Sequence, residues 1–292
     1  MSVQEMSIET LQEFAKDNSV TDHVVPSQIS DKAKIGKCYS IGKGVGIDNA
    51  SIGEHAVIGD HVKIGSHVCI GDHVTLGSGC VIAEGVHIRD NVTLGANVWV
   101  NKHADVSKDV NILEGCTIGE YVQIQEAVHV GVDTIIDKHT YIGKNVFVGD
   151  ECRIGDSLLL STHVLPGGGV AYGTIIMDDS TIGDYAVIRN ASIDKKVAIG
   201  RDVYLGNNVT VHDNTTLKDG VSAEYDVLIE ANTTVAENVI IPDGIIVTYS
   251  YIHTLEDELG MVNKGNLDNH MLRKQNIIMR AFKKLVGWVW RK

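Results

Sequence analysis

Proline is nearly missing from this 292-residue chain: there are three, against thirty glycines. A chain that turns often here must turn on Gly rather than on Pro. Aromatic residues make up only 5%, which suits a narrow interior filled by Ile, Val and small side chains better than a core of large rings. No apolar run is long enough to span a bilayer. The start of the chain, Met1 to Phe14, is acidic and amphipathic and has no signal-peptide apolar region, so the cytoplasm is the expected compartment. Positive charge is short as well. The formal net charge is −13, which argues against nucleic acid as a partner of the body. Neither a P-loop nor a dinucleotide fingerprint occurs. The five cysteines do not form a disulfide framework. Cys80, Cys116 and Cys152 are 36 residues apart and fall in equivalent repeat positions, roughly 9.6 Å from one another on a 4.8 Å strand spacing, too far to bridge. They read as small core residues of a protein in a reducing compartment.

What the chain has in abundance is period. From Ile52 to Leu160 an aliphatic residue stands at every sixth position, commonly followed by Gly, with a small residue or Val two places before the next. Ile58-Gly59-Asp60-His61-Val62-Lys63 is one such unit. A hexapeptide period is a signature of a parallel β-helix. The repeat begins near Ile29 and ends at Val247. It is broken by five-residue steps at Ile47–Ile52 and Ile188–Ile193, which read as one shortened corner used twice, and by one insertion, residues 161–173, before a restart near Val170. At three positions per coil the count predicts an all-β solenoid of about twelve coils. The expected organisation is an N-terminal helix and lead-in over 1–28, a β-helix over 29–249 and a C-terminal segment over 250–292. Residues 7–16 and 268–291 read as helices that cover the open ends of the array.

These hexads resemble the hexapeptide-repeat, left-handed β-helix proteins, best known as acyltransferases. The left-handed sense comes from that resemblance, because parallel crossovers are otherwise nearly always right-handed. The resemblance implies a homotrimer with active sites between subunits, acyl-CoA (acetyl-CoA foremost) or an acyl carrier protein as donor, and a sugar, sugar-nucleotide or lipid-linked sugar acceptor. No metal is expected: the family's carbonic anhydrase branch needs zinc histidines five residues apart on a strand, and no two His here have that spacing.

Histidine placement within the repeat decides which of the thirteen carry chemistry. His55, His61, His67, His73, His103 and His139 fall at the corner position that Gly and Asn also occupy, where φ is positive, and read as solvated corners. Residues 18 apart just before the aliphatic position stack on one face. One such column reads Cys69, His87, Asp105, Gln123, Tyr141, Leu159; a second reads Thr75, Thr93, Asn111, His129, Phe147, Leu165. The third, Lys63, Val81, Trp99, Thr117, Ile135, Arg153, is apolar enough for a subunit interface. His87 beside Asp105 has the geometry of an oriented imidazole, and His129 is a further candidate. His163 opens the inserted loop. In the resembling acyltransferases such loops help build the acyl-CoA cleft, which makes His163 a general-base candidate and Gly167, Gly168, Gly169 and Tyr172 candidates for holding the acyl donor. Tyr172, Asp178 and Asp179 are candidate acceptor contacts. The chain departs from the family's sugar-nucleotide acyltransferases at one point: no regular repeat has His two places after the aliphatic residue, and His212 stands one place early.

Residues 271–292 hold seven Lys/Arg and no acid, which leaves a net of −20 on residues 1–270. The stripe Ile278, Phe282, Leu285 and Val289, with Trp288 and Trp290 at the end, suits an anionic membrane surface, the inner face for a cytoplasmic protein. It equally suits packing on the acidic prism. The function expected from these features is acyl transfer to a sugar acceptor of cell-surface polysaccharide or lipid. The alternative is a noncatalytic β-helix scaffold or binding protein, docked on a membrane or not.

Overall fold

The computed structural model describes residues 28–37, 39–161 and 174–248. The expected terminal helices, most of the inserted loop and the basic C-terminal segment lie outside these residues. Each hexad contributes one short strand, and among the described residues 36 strands assemble into three parallel sheets of twelve. Sheet A runs from Gln28–Ile29 to Thr234–Val235, sheet B from Lys34–Ile35 to Ile240–Ile241, and sheet C from Ser40–Ile41 to Ile246–Val247. The chain visits A, B and C in turn, so eighteen residues make one coil and each residue pairs with the one a coil away, as Trp99 pairs with Val81 and Thr117. The fold is the expected left-handed parallel β-helix.

The hexad's chemistry follows from this geometry. The aliphatic residue and the one two places before it both point inward and are buried, as Val92 and Leu94 are, while the residue between them faces out. A coil turns a corner after each strand, and the third residue past the aliphatic takes the left-handed region. All six corner histidines do so, with φ between 56° and 60°. The side chains of His61 and His103 lie over a glycine of the preceding coil. Gly85, with φ +69°, lies beneath His103, whose Nδ1 would be 2.5 Å from a Cβ there.

The body's acidity has a structural cause. The N–H of the second residue past the aliphatic has no ladder carbonyl opposite it, and an Asp one coil on accepts it: Glu54 N–H to Asp72 at 2.7 Å, Asp72 N–H to Asp90 at 2.9 Å, Val132 N–H to Asp150 at 2.7 Å. Unpaired backbone donors are costly, so a turn of this kind recruits acidic residues whatever the protein does.

The inner wall of sheet A carries Cys80, Cys116 and Cys152, all buried. Each thiol donates to a carbonyl of the next coil, as Cys116 does to Gly131 at 2.8 Å. Burial pushes the Cys116 and Cys152 thiols up to about 11, so thiolate is scarce near neutrality. In a Cys38→Ser background, a maleimide should therefore label one thiol of the native protein, Cys69, and the other three only in denaturant; more than one label in the native protein would contradict this wall.

Two expectations change. The two five-residue steps are not one corner used twice. Ile47–Ile52 turns from sheet A to B through a tight turn in which Ala50 N–H donates to Asp48 O at 2.8 Å. Ile188–Ile193 turns from B to C after a strand that continues to Arg189, where it pairs with Ser161, and Asn190 takes φ 47°. The extra pairing draws that strand one residue further before it bends. The restart is also later than Val170: sheet C resumes at Ile175–Ile176, which pairs with Phe147–Val148. Phe147 is thus followed on its face by Ile175, not Leu165.

Candidate active site

Sheet B places His87 directly beside Asp105, as the eighteen-residue step requires. No hydrogen bond joins them, however. Arg89, on the same strand end as His87, donates its Nη2 to Asp105 Oδ2 at 3.3 Å, and Asp105 Oδ1 is buried without a protein partner. A guanidinium is always charged and its reach matches the carboxylate, so it takes the group that could have oriented the imidazole.

His129, on sheet C, is half-buried between Asn111 and Phe147. Its ring stacks on Phe147 at 5.0 Å with 12° between planes, and its Nδ1 is 3.3 Å from Asn111 Nδ2. With the amide nitrogen as donor, Nδ1 is the acceptor and the neutral ring carries its proton on Nε2. The outward nitrogen is then a donor, suited to polarising an oxygen rather than to removing a proton. His163, Gly167, Gly168, Gly169 and Tyr172 lie outside the described residues.

A better-built imidazole stands on the edge between sheets C and A. His212 and Asp194 are the residues immediately after Val211 and Ile193, paired neighbours in sheet C. His212 Nδ1 lies 2.7 Å from Asp194 Oδ2, with side chains 40% and 29% exposed. A carboxylate at that distance holds the proton on Nδ1 and leaves the Nε2 lone pair free. Both backbones are tied into the ladder: Asp194 N–H donates to Val211 O and His212 N–H to Ile229 O. From inside, the buried Ser180 hydroxyl donates to Asp194 O at 2.9 Å and accepts from Val197 N–H at 3.2 Å. Beside the pair, Lys195 bonds Asp178 at 2.7 Å and its N–H donates to Asp213 Oδ1 at 2.9 Å. The Lys195 hydrogen bond, helped by the Asp150 backbone, holds the Asp178 carboxyl below its usual range, and the same bond raises the lysine. A half-exposed imidazole oriented by a carboxylate is equipped to accept a proton from an incoming hydroxyl or amine.

Sequence reasoning passed over this pair because it looked for His two places after the aliphatic residue and in the outward strand columns. Against that pattern His212, directly after the aliphatic, reads only as a histidine one place early, and Asp194 at the same repeat position is not paired with it. The signal was present: His212 and Asp194 are eighteen residues apart, one coil, at the same repeat position.

Comparisons with known proteins agree with the repeat. The model of the bacterial transferase hexapeptide (six repeats) matches residues 55–90 and 70–102, and that of the GMPPB C-terminal domain matches residues 120–194. No curated protein matches. Among solved structures, the chain is similar to LpxA from Acinetobacter baumannii (16% identity, 82% of this chain and 85% of that one, TM-score 0.31). It is also similar to the UDP-N-acetylglucosamine O-acyltransferase from Moraxella catarrhalis (17% identity, 88% and 93%, TM-score 0.27) and to LpxA, a UDP-N-acetylglucosamine acyltransferase, from Bacteroides fragilis (17%, 81% and 77%, TM-score 0.28).

Proposed function

We propose that this hexapeptide-repeat, left-handed β-helix protein is an acyltransferase in which His212, oriented by Asp194, is the general base. The observation that carries the reading is the 2.7 Å Nδ1–Oδ2 pair. His212 Nε2 takes the proton of the acceptor O–H or N–H as that atom attacks the thioester carbonyl carbon. The C–S bond then breaks, and the imidazolium returns the proton to the departing thiolate. The donor is an acyl-CoA, acetyl-CoA foremost, or an acyl carrier protein, and the acceptor a sugar, sugar nucleotide or lipid-linked sugar. The transferase repeat supports this class of reaction, as do the names of the similar structures.

Three further parts belong to this reading. The outward column of sheet A, with Trp99 55% exposed and Ile135 beside Thr117, is the surface through which three copies associate. His163, Gly167, Gly168, Gly169 and Tyr172 of the inserted loop are assigned to the acyl donor. Residues 268–292 bring the protein to the anionic cytoplasmic face of a membrane.

Calorimetry with CoA and acetyl-CoA on the full chain tests the donor, and thiol release in the presence of N-acetylglucosamine and UDP-N-acetylglucosamine tests turnover. Micromolar binding of either ligand with thiol release is the expected result. No binding of CoA or acetyl-CoA, with no thiol release at high protein concentration, would favour the noncatalytic scaffold.

A further inference from the structure

The edge between sheets A and B carries a column of rings with one member missing. Its positive-φ corner position is held in successive coils by His103, Tyr121, His139, Ser157 and Tyr185. The first three rings stack continuously, with centroids 5.1 and 5.5 Å apart and planes within 21° and 3°. Ser157 interrupts the stack. Tyr185 resumes it one coil later, where sheet A pairs Arg153 with Thr181 and Tyr185 N–H donates to Asp156 O at 3.0 Å. Ser157 and Tyr185 have φ of 56° and 60°, the same backbone state as the ring-bearing corners, so their Cα–Cβ bonds leave the edge in the same direction. Two coil rises of about 4.8 Å each therefore separate His139 from Tyr185, which leaves room for one ring at the spacing the column already uses.

The rim of this gap is polar. Asp156 accepts from the Ser157 hydroxyl at 2.9 Å, lies 3.3 Å from His139 Nδ1 and is 3.7 Å from Lys138 Nζ. Burial alone would raise its carboxyl, but Ser157, His139 and Lys138 outweigh burial and hold it low. The carboxylate is thus an acceptor near neutrality, and Lys138 balances its charge. Tyr185 is 58% exposed.

We propose that the gap between His139 and Tyr185 binds the pyranose ring of a saccharide. Electron-rich aromatic faces attract the weakly positive C–H groups on the flat side of a sugar. Hydroxyl groups need donors and acceptors side by side, and Lys138, Asp156 and Ser157 supply both. A phosphate would meet the carboxylates of Asp156 and of Asp184, whose Oδ1 accepts from the Asp156 N–H at 3.0 Å, while Lys138 already engages Asp156, so the rim offers donors and acceptors to a neutral, hydroxyl-rich ring. This site is independent of the His212 pair, which lies on another edge of the prism, and does not require acyl transfer.

Saturation-transfer NMR on the full chain with glucose, galactose, mannose, N-acetylglucosamine and N-acetylgalactosamine tests it. Ring-proton saturation of at least one sugar is expected, and it should fall about fivefold or more in Tyr185→Asn. That variant removes the ring at a corner where Asn is at home. Ser157→His, which fills the gap with the column's own residue type, should cause the same loss. Unchanged circular dichroism melts would show that both variants are folded. No transfer to any of these sugars, or transfer that persists in either variant, would overturn the proposal.

Discussion

His212→Ala is expected to lower the rate of thiol release about a thousandfold, within the range a positioned general base contributes, while leaving acetyl-CoA binding and the thermal melt unchanged. The imidazole is half-exposed and its side chain bonds to Asp194, so its removal empties no core site. Asp194→Asn is expected to cost less, about tenfold to a hundredfold. The amide oxygen can still accept from Nδ1–H and hold the ring, but the charge that stabilises the imidazolium as it forms is gone. Ser180→Ala acts further back. It frees the carbonyl of Asp194 from its latch and should raise KM and lower kcat modestly, with the aspartate still in place. His87→Ala should be close to wild type, because Asp105 is engaged by Arg89. His163→Ala is the decisive comparison. If it abolishes turnover while His212→Ala retains it, the base lies in the inserted loop and the edge pair is structural.

The second large effect concerns stability. Leu94→Ala is expected to destabilise the protein by about 3 kcal/mol, in the middle of the range for emptying a buried leucine site, and to lower Tm by roughly 6–12 °C at the conversion usual for a domain of this size. Leu94 is 1% exposed and sits between Leu76 and Ile112 in the ladder. Backbone hydrogen bonds on all three sheets hold the coils at their rise: Gly95 N–H, next to Leu94, donates to Ile112 O at 2.8 Å. The neighbouring coils cannot close on the void without breaking such bonds, so the cavity persists. Thr93→Ala, one residue away but facing out, should change stability by less than about 0.5 kcal/mol. Equal melts for the two variants would refute the inward–outward alternation that the hexad implies.

How much of this was legible in the sequence depends on distance along the coil. Contacts between neighbouring coils recur at a fixed step of eighteen residues, so the pairing of His87 with Asp105 and of Asn111 with His129 could be read by counting, as could the stacking of His55 on His73, whose rings lie 4.7 Å apart. The positive φ of the corner histidines followed from their sharing a position with Gly and Asn. Where the step changes, counting fails. Phe147 meets Ile175 and Ser157 is followed by Tyr185 only because residues 161–173 interrupt the count, and nothing in the period says at which residue pairing resumes.

By itself, then, the sequence determined the class of fold, the coil count, the inward wall of Cys and aliphatic residues, and which side chains share a face wherever the eighteen-residue step is unbroken. A parallel β-helix repeats one local conformation, and a strict period specifies it. The tertiary structure decided which neighbours bond. Asp105 lies within reach of both His87 and Arg89, and the guanidinium takes it; Asp194 lies within reach of His212 with no nearer cation among the described residues, since Lys195 turns to Asp178, and the imidazole takes it. Position in the repeat gives adjacency, but a carboxylate chooses among adjacent donors by charge and reach. That choice separates a surface ion pair from an oriented base.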